Sequence, residues 1–183
     1  DCMRPGVYEV PFGISVSEFL EKVGAEDAKG VQVGGPSGKM IDRNQFERTI
    51  CYDDLGTGGS IVVFGPERNL LDVASAYMDF FVEESCGYCT PCRVGNVLLK
   101  ERLDRIREGK GLPEDLDYLY SLGQSVKTAS RCGLGQTSPN PVLSTLECFP
   151  EDYQSLLTDE QDGLRPSFDV SAALSAAKSI AGR

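Results

Sequence analysis

Cysteines 86, 89 and 92 stand two residues apart in the stretch ESCGYCTPCRVG, and the chain contains no histidine. Together these two facts constrain the fold more than any other feature. Thiols at that spacing bind metal, and without histidine a soft metal must complete its ligand set with another cysteine. The one other cysteine in a comparable setting is Cys132, in RCGLGQTSPNP, which gives the pattern C-x2-C-x2-C-x39-C. The fold is therefore expected to bring these two segments together. Cys86, Cys89, Cys92 and Cys132 are the expected ligands, and Gly133 and Gly135 would let the backbone approach a bulky group.

The pattern favours a 4Fe–4S cluster. Each iron corner of a cubane takes one thiolate, so three cysteines on a compact loop can each reach a different corner, with a remote fourth completing the set. Structural zinc draws four sulfurs onto one atom and usually takes them as two C-x2-C pairs. A zinc staple without redox role is the first alternative, and a set of redox-active thiols the second. Cys92 falls at the start of an expected helix and Cys132 just before another. The free N–H groups and positive dipole ends of such helices would stabilise an anionic centre. Arg93 and Arg131 flank ligands directly and could add to that effect, or could serve only solubility. Cys2, Cys51 and Cys148 read as small buried or half-buried side chains.

Seven cysteines, an odd number, suit a reducing compartment, and the cytoplasm or the cytoplasmic face of a membrane complex is the expected location. A net charge of −10 argues against nucleic acid or an anionic membrane as the main partner. No apolar run is long enough to insert in a bilayer. GGPSG lacks the G-K-[ST] ending of a phosphate loop and reads as a turn. The chain opens on DCMRPGVYEV, without initiator Met or signal peptide, and reads as a piece of a longer polypeptide.

The fold class expected is α+β. Residues 1–65 form a small unit with strands at GVYEV, VQVGG and SIVVF. Between the first two, Ser15 and Glu18 make a capping box for a short helix that Gly24 ends. Residues 66–157 change to helical periodicity. Leu70, Ala74, Tyr77, Met78 and Phe81 line one face of a first helix. A second helix runs from Pro91 to Glu108, with Val94, Val97, Leu98 and Ile106 as its apolar side. A third starts at Pro113, where Glu114 and Asp115 suit the positive helix end. A fourth starts at Asn140 as N-cap with Pro141 in the first turn. Four helices with short links point to a bundle. Residues 158–183 read as a linker or tail.

The motifs ESCGYCTPCRVG and CGLGQTSPNPV closely resemble the 4Fe–4S signature of the flavoprotein NADH-binding subunits. This family is found in respiratory complex I, NAD-reducing hydrogenases and NAD-dependent formate dehydrogenases. RPGVYEVPFG resembles the start of that family's ubiquitin-like domain (β-grasp, SLBB), and residues 66–157 its four-helix cluster domain. The resemblance is closest to the diaphorase subunits of the hydrogenases and formate dehydrogenases. It implies an electron relay between FMN and the iron–sulfur centres of a partner subunit, with the four cysteines as cluster ligands. FMN and NAD would sit on an N-terminal flavin domain of the same subunit, which has no counterpart in this chain. The chain alone is therefore not expected to oxidise NADH.

Overall fold

The computed structural model describes residues 1–158; the expected tail falls almost wholly outside the described residues. Helix α1, Val16–Val23, begins as its sequence demands. Ser15 Oγ accepts from Glu18 N (3.2 Å), and Glu18 Oε2 accepts from Ser15 N (3.0 Å). Gly24 ends the helix in the left-handed conformation (φ 67°). Three strands, β1 (Gly30–Val33), β2 (Lys39–Asp42) and β3 (Ile61–Phe64), form an antiparallel sheet in the order β2-β1-β3. Val31 stands opposite both Ile41 and Val63. These three residues join Val33 and the buried face of α1 (Val16, Phe19, Leu20, Val23) in one core.

Two strand expectations need correction. GVYEV is not a strand: residues 6–10 pair with no neighbour in the sheet, and Val7 is fully exposed. Pro5 and Pro11 bracket the segment and lack the N–H that a ladder needs. The sheet instead gains β2, KMID, a segment that hydropathy does not mark. The GGPSG turn folds β1 back onto β2, and VQVGG stops pairing at Val33 because Gly34 and Gly35 take φ of 93° and 64°.

Beyond the sheet come α2 (Leu70–Glu83), α3 (Thr90–Arg107), α4 (Pro113–Ala129), α5 (Gly133–Thr137), α6 (Asn140–Cys148) and α7 (Pro150–Gln154). Asn69 caps α2, its Oδ1 accepting from Leu71 N and Asp72 N. Helix α3 packs on both α2 and α4, and α6 touches the same two. Their shared core holds Leu71, Ala74, Met78, Leu99, Leu103, Ile106, Leu119, Val126, Val142 and Tyr153. Against the other side of the sheet, Met40 and Phe64 meet Leu70 and Phe149. Ser144 of α6 accepts from Met40 N (3.2 Å), and Lys29 pairs with Asp152 of α7 (2.7 Å). Among the described residues no helix is long and apolar enough to cross a membrane.

Helix α3 buries a different face from the one hydropathy suggests. Ile106 is buried and Leu98 half-buried, but Val94 and Val97 are about 40% exposed. The buried line runs Cys92, Gly95, Asn96, Leu99, Leu103, Ile106. Its first half is made of small and polar residues, so it carries no hydrophobic signal. Gly95 shows why: a Cβ there would lie 2.3 Å from Val126 Cγ2 of α4, so bare backbone is needed for the two helices to meet. Asn140 is also not the cap expected. It opens α6 itself after Pro139, and its Nδ2 donates to Ser37 O (2.7 Å), tying α6 to the glycine turn.

Candidate metal centre

The first cysteine loop leaves the end of α2 and runs into α3. Gly87 turns it with φ 74°, and Arg93 Nη1 donates back to Gly87 O (2.7 Å). Cys89 takes the extended position just before α3, and Cys92 sits in the first turn of that helix. Its backbone N–H is thus among those the helix leaves unpaired. Cys132 takes the equivalent extended position before the short helix α5, an element without a periodic signal of its own. Cys92 is buried, Cys89 half-buried, and Cys86 and Cys132 open to the surface.

Three contacts join the two segments. Arg131 Nη1 donates to Tyr88 Oη (2.9 Å), with its guanidinium 5.1 Å from the centre of the Tyr88 ring. The backbone N–H groups of Arg131 and then Cys92 hold the Cys89 thiol below its ordinary pKa, against the opposing effect of burial. Finally, Gly135 lies directly against Cys92 and Ser130. A Cβ on Gly135 would sit 2.6 Å from Ser130 Cβ and Oγ and 3.1 Å from Cys92 Cβ, whereas one on Gly133 would meet nothing within 4 Å. Of the two glycines, only Gly135 is required by close approach. The Cys89 thiol and Cys92 thus both touch the segment that carries Cys132, while Cys86 is exposed earlier in the first loop. The two arginines are bound into the loops themselves, so neither serves solubility alone.

Several polar residues around Cys92 are not evident from the sequence. Ser85 Oγ lies 3.3 Å from Cys92 Sγ, and Asn96 Nδ2 donates to the same sulfur at 3.4 Å. Ser138 Oγ donates to Asn96 Oδ1 (2.7 Å). A signal for Asn96 does exist in its spacing, four residues after Cys92 on the same helical face. Ser138 has none, because a contact across 42 residues leaves no local trace.

The donor set suits an anionic multi-iron group. Ser130 Oγ is buried beside Gly135, and its side chain is one of the groups that help lower the Cys89 thiol pKa. An O–H at that position can donate to a thiolate or sulfide. Among the described residues, no three His, Cys, Asp or Glu side chains gather closely enough to hold a single ion. A cubane asks for a wider spread, one thiolate at each corner. The remaining cysteines stand apart. Cys148 lies under the sheet, where burial pushes its thiol up to about 11 and Gln45 Nε2 donates to it (3.2 Å). Cys2 and Cys51 are half-buried in the first unit.

Gly135→Ala tests the close approach while keeping all four cysteines. The added methyl would push the Cys132 segment away from Cys92, since neither Ser130 nor the Cys92 backbone can yield freely. The expected outcome is at least a halving of bound iron, measured per chain after anaerobic purification, while Gly133→Ala leaves iron unchanged.

Residues 72–156 match the family described as the NADH-ubiquinone oxidoreductase-F iron-sulfur binding region. The alpha subunit of the NAD-reducing hydrogenase HoxS from Cupriavidus necator is 47% identical over 175 residues, which cover 95% of this chain and 29% of that protein. An NADH-quinone oxidoreductase subunit of Mycobacterium tuberculosis is 31% identical over 160 residues, covering 82% of this chain and 36% of that protein. A crystal structure of NAD+-reducing [NiFe]-hydrogenase in the H2-reduced state superposes with a TM-score of 0.83 at 31% identity. That match covers 100% of this chain and 32% of the other. The chain thus spans about a third of the length of these relatives.

Proposed function

We propose, on the match of residues 72–156 to the NADH-ubiquinone oxidoreductase-F iron-sulfur binding region, that this chain belongs to that family and that Cys86, Cys89, Cys92 and Cys132 hold one 4Fe–4S cluster that relays single electrons. The observation that carries the reading is the meeting of Cys89 and Cys92 with the Arg131–Gly135 segment. A bound 4Fe–4S group supplies reversible one-electron chemistry without a proton or a bond rearrangement. The protein's own residues do the rest. Cys92 anchors the centre in the buried end of α3, and Cys86 and Cys132 carry it toward the surface. The amides at the start of α3 and the Arg131 backbone offset its negative charge. The helical core behind Cys92 keeps water from that side.

Residues 1–65 are assigned as a β-grasp (SLBB-like) domain, on one helix packed against a small antiparallel sheet. Residues 66–157 are assigned as a four-helix bundle, on the mutual packing of α2, α3, α4 and α6. We assign flavin and nicotinamide binding to an N-terminal flavin domain of the full-length subunit. The electron acceptor is assigned to an iron–sulfur partner subunit of a larger cytoplasmic oxidoreductase. The hydrogenase relatives favour a diaphorase-type role, since identity to HoxS exceeds identity to the quinone oxidoreductase.

Anaerobic reconstitution of the full chain with iron and sulfide tests the cluster directly. The expected product is brown and binds about four irons and about four sulfides per chain. A colourless protein with about one zinc per chain would replace the relay by a structural staple.

A further inference from the structure

Asn96 is the unexpected residue of the centre. It is fully buried in α3, on the face that packs against α2 and the α5–α6 link. A buried carboxamide is costly unless its donors and acceptor are all used. Here Nδ2 points at two acceptors, Cys92 Sγ (3.4 Å) and Phe81 O (3.5 Å). Phe81 O is one of the carbonyls that α2 leaves free at its C-terminal end. On the other side, Ser138 Oγ donates to Asn96 Oδ1 (2.7 Å) and also lies 3.1 Å from Gly135 O. The reverse orientation of the amide would set its oxygen against the Phe81 carbonyl and a thiolate, two acceptors with no hydrogen to offer it. The neighbours therefore fix which end of the amide faces the sulfur.

We propose that Asn96 and Ser138 set the reduction potential of the centre, Asn96 as the buried amide donor to the Cys92 sulfur and Ser138 as the positioning residue that holds the amide in that orientation. The inference rests on the cluster reading above. Taking up one electron adds one negative charge, which is shared with the thiolates. An N–H aimed at sulfur from a site closed to water stabilises the reduced form more than the oxidised one, so the potential rises. Ser85 Oγ, at 3.3 Å from the same sulfur, supplies a second donor from the exposed side of the loop. Asn96 differs from it in being shielded from solvent, where a fixed dipole acts most strongly.

The test is a redox titration of the reconstituted full chain, followed by electron paramagnetic resonance with iron counted in each sample. Asn96→Leu should keep its iron and lower the reduced-to-oxidised ratio at fixed ambient potential about fivefold, a shift of about 40 mV at 59 mV per decade. Asn96→Ala removes the donor without added bulk and should lower the ratio by a similar factor. Ser138→Ala should shift it in the same direction by less. Should Asn96→Leu fail to load iron, Asn96→Ala and Ser138→Ala decide. Iron-loaded variants whose ratio matches the unmodified protein would overturn the proposal, because a merely structural role moves iron content and stability without moving the potential. An unmodified chain that binds only zinc would overturn the cluster reading instead, and this inference with it.

Discussion

Cys132→Ser strips the protein of its iron: bound iron is expected to fall from about four per chain to well below half that value, and the visible absorbance with it. Serine is nearly the same size, so the fold survives, but its hydroxyl does not ionise near neutral pH and cannot replace a thiolate. Cys132 is also the one proposed ligand outside the first loop, so nothing in ESCGYCTPCRVG can take its corner. Cys86→Ser, at an exposed position, should give the same loss. Cys148→Ser is the sharp control. Cys148 follows Cys132 by 16 residues, but it lies under the sheet with its thiol pushed up to about 11, far from a thiolate at neutral pH. Iron content should be unchanged in Cys148→Ser, and likewise in Cys51→Ser. Retention of iron in Cys132→Ser would remove Cys132 from the ligand set, and loss of iron in Cys148→Ser would show that the four-cysteine set is not sufficient.

Asp115→Ala should be the most damaging change to a charged side chain among the described residues, lowering stability by about 3 kcal/mol. The Asp115 side chain is 3% exposed at the start of α4. One oxygen meets Arg102 of α3. The other accepts from Leu112 N (2.9 Å) and lies 3.6 Å from Arg105 Nε. Alanine removes the helix cap and leaves two guanidinium groups facing the gap. Arg102 is held in place by its stacking on Tyr118, 4.4 Å from the ring centre. Both arginines keep some solvent contact, which holds the cost to the low end of the range for a broken buried pair. Melting should fall by about 6–12 °C for a chain of this size. Asp115→Asn keeps an acceptor for Leu112 N and should lose only part of that. Equal melting temperatures for Asp115→Ala and the unmodified protein would show that the α3–α4 junction does not depend on this carboxylate.

Much of the fold is legible in the sequence because its signals are local. The capping box of α1 lies within four residues, and its left-handed glycine follows at once. Helices α2, α3 and α4 announce themselves by periodicity, and α3 and α4 also by proline at their starts. For α3 the sequence gives the right span and the wrong rotation, because Val94 and Val97 are its most hydrophobic residues near the N-terminus and yet face solvent. Strand β2 escapes notice because four residues, two of them charged, give too short a pattern. GVYEV looks like a strand and is not one: alternation is necessary for a strand but pairing makes one, and its flanking prolines prevent pairing.

The sequence by itself determined the ligand chemistry. Four cysteines at C-x2-C-x2-C-x39-C in a chain without histidine point to thiolates as the proposed ligands, and Gly135 after Cys132 suits a close approach. Tertiary structure alone decided how the two segments meet and what surrounds them. Arg131 on Tyr88, Gly135 against Cys92, and Ser138 on Asn96 each join residues about 40 apart. The carboxylate of Asp115 looks like a helix-end charge until α3 brings two arginines to it. The physical reason is common to all of these. A side chain's type is written at its own position, but its burial and partners depend on which distant elements pack against it, and polar partners inside a core carry no hydrophobic periodicity to betray them.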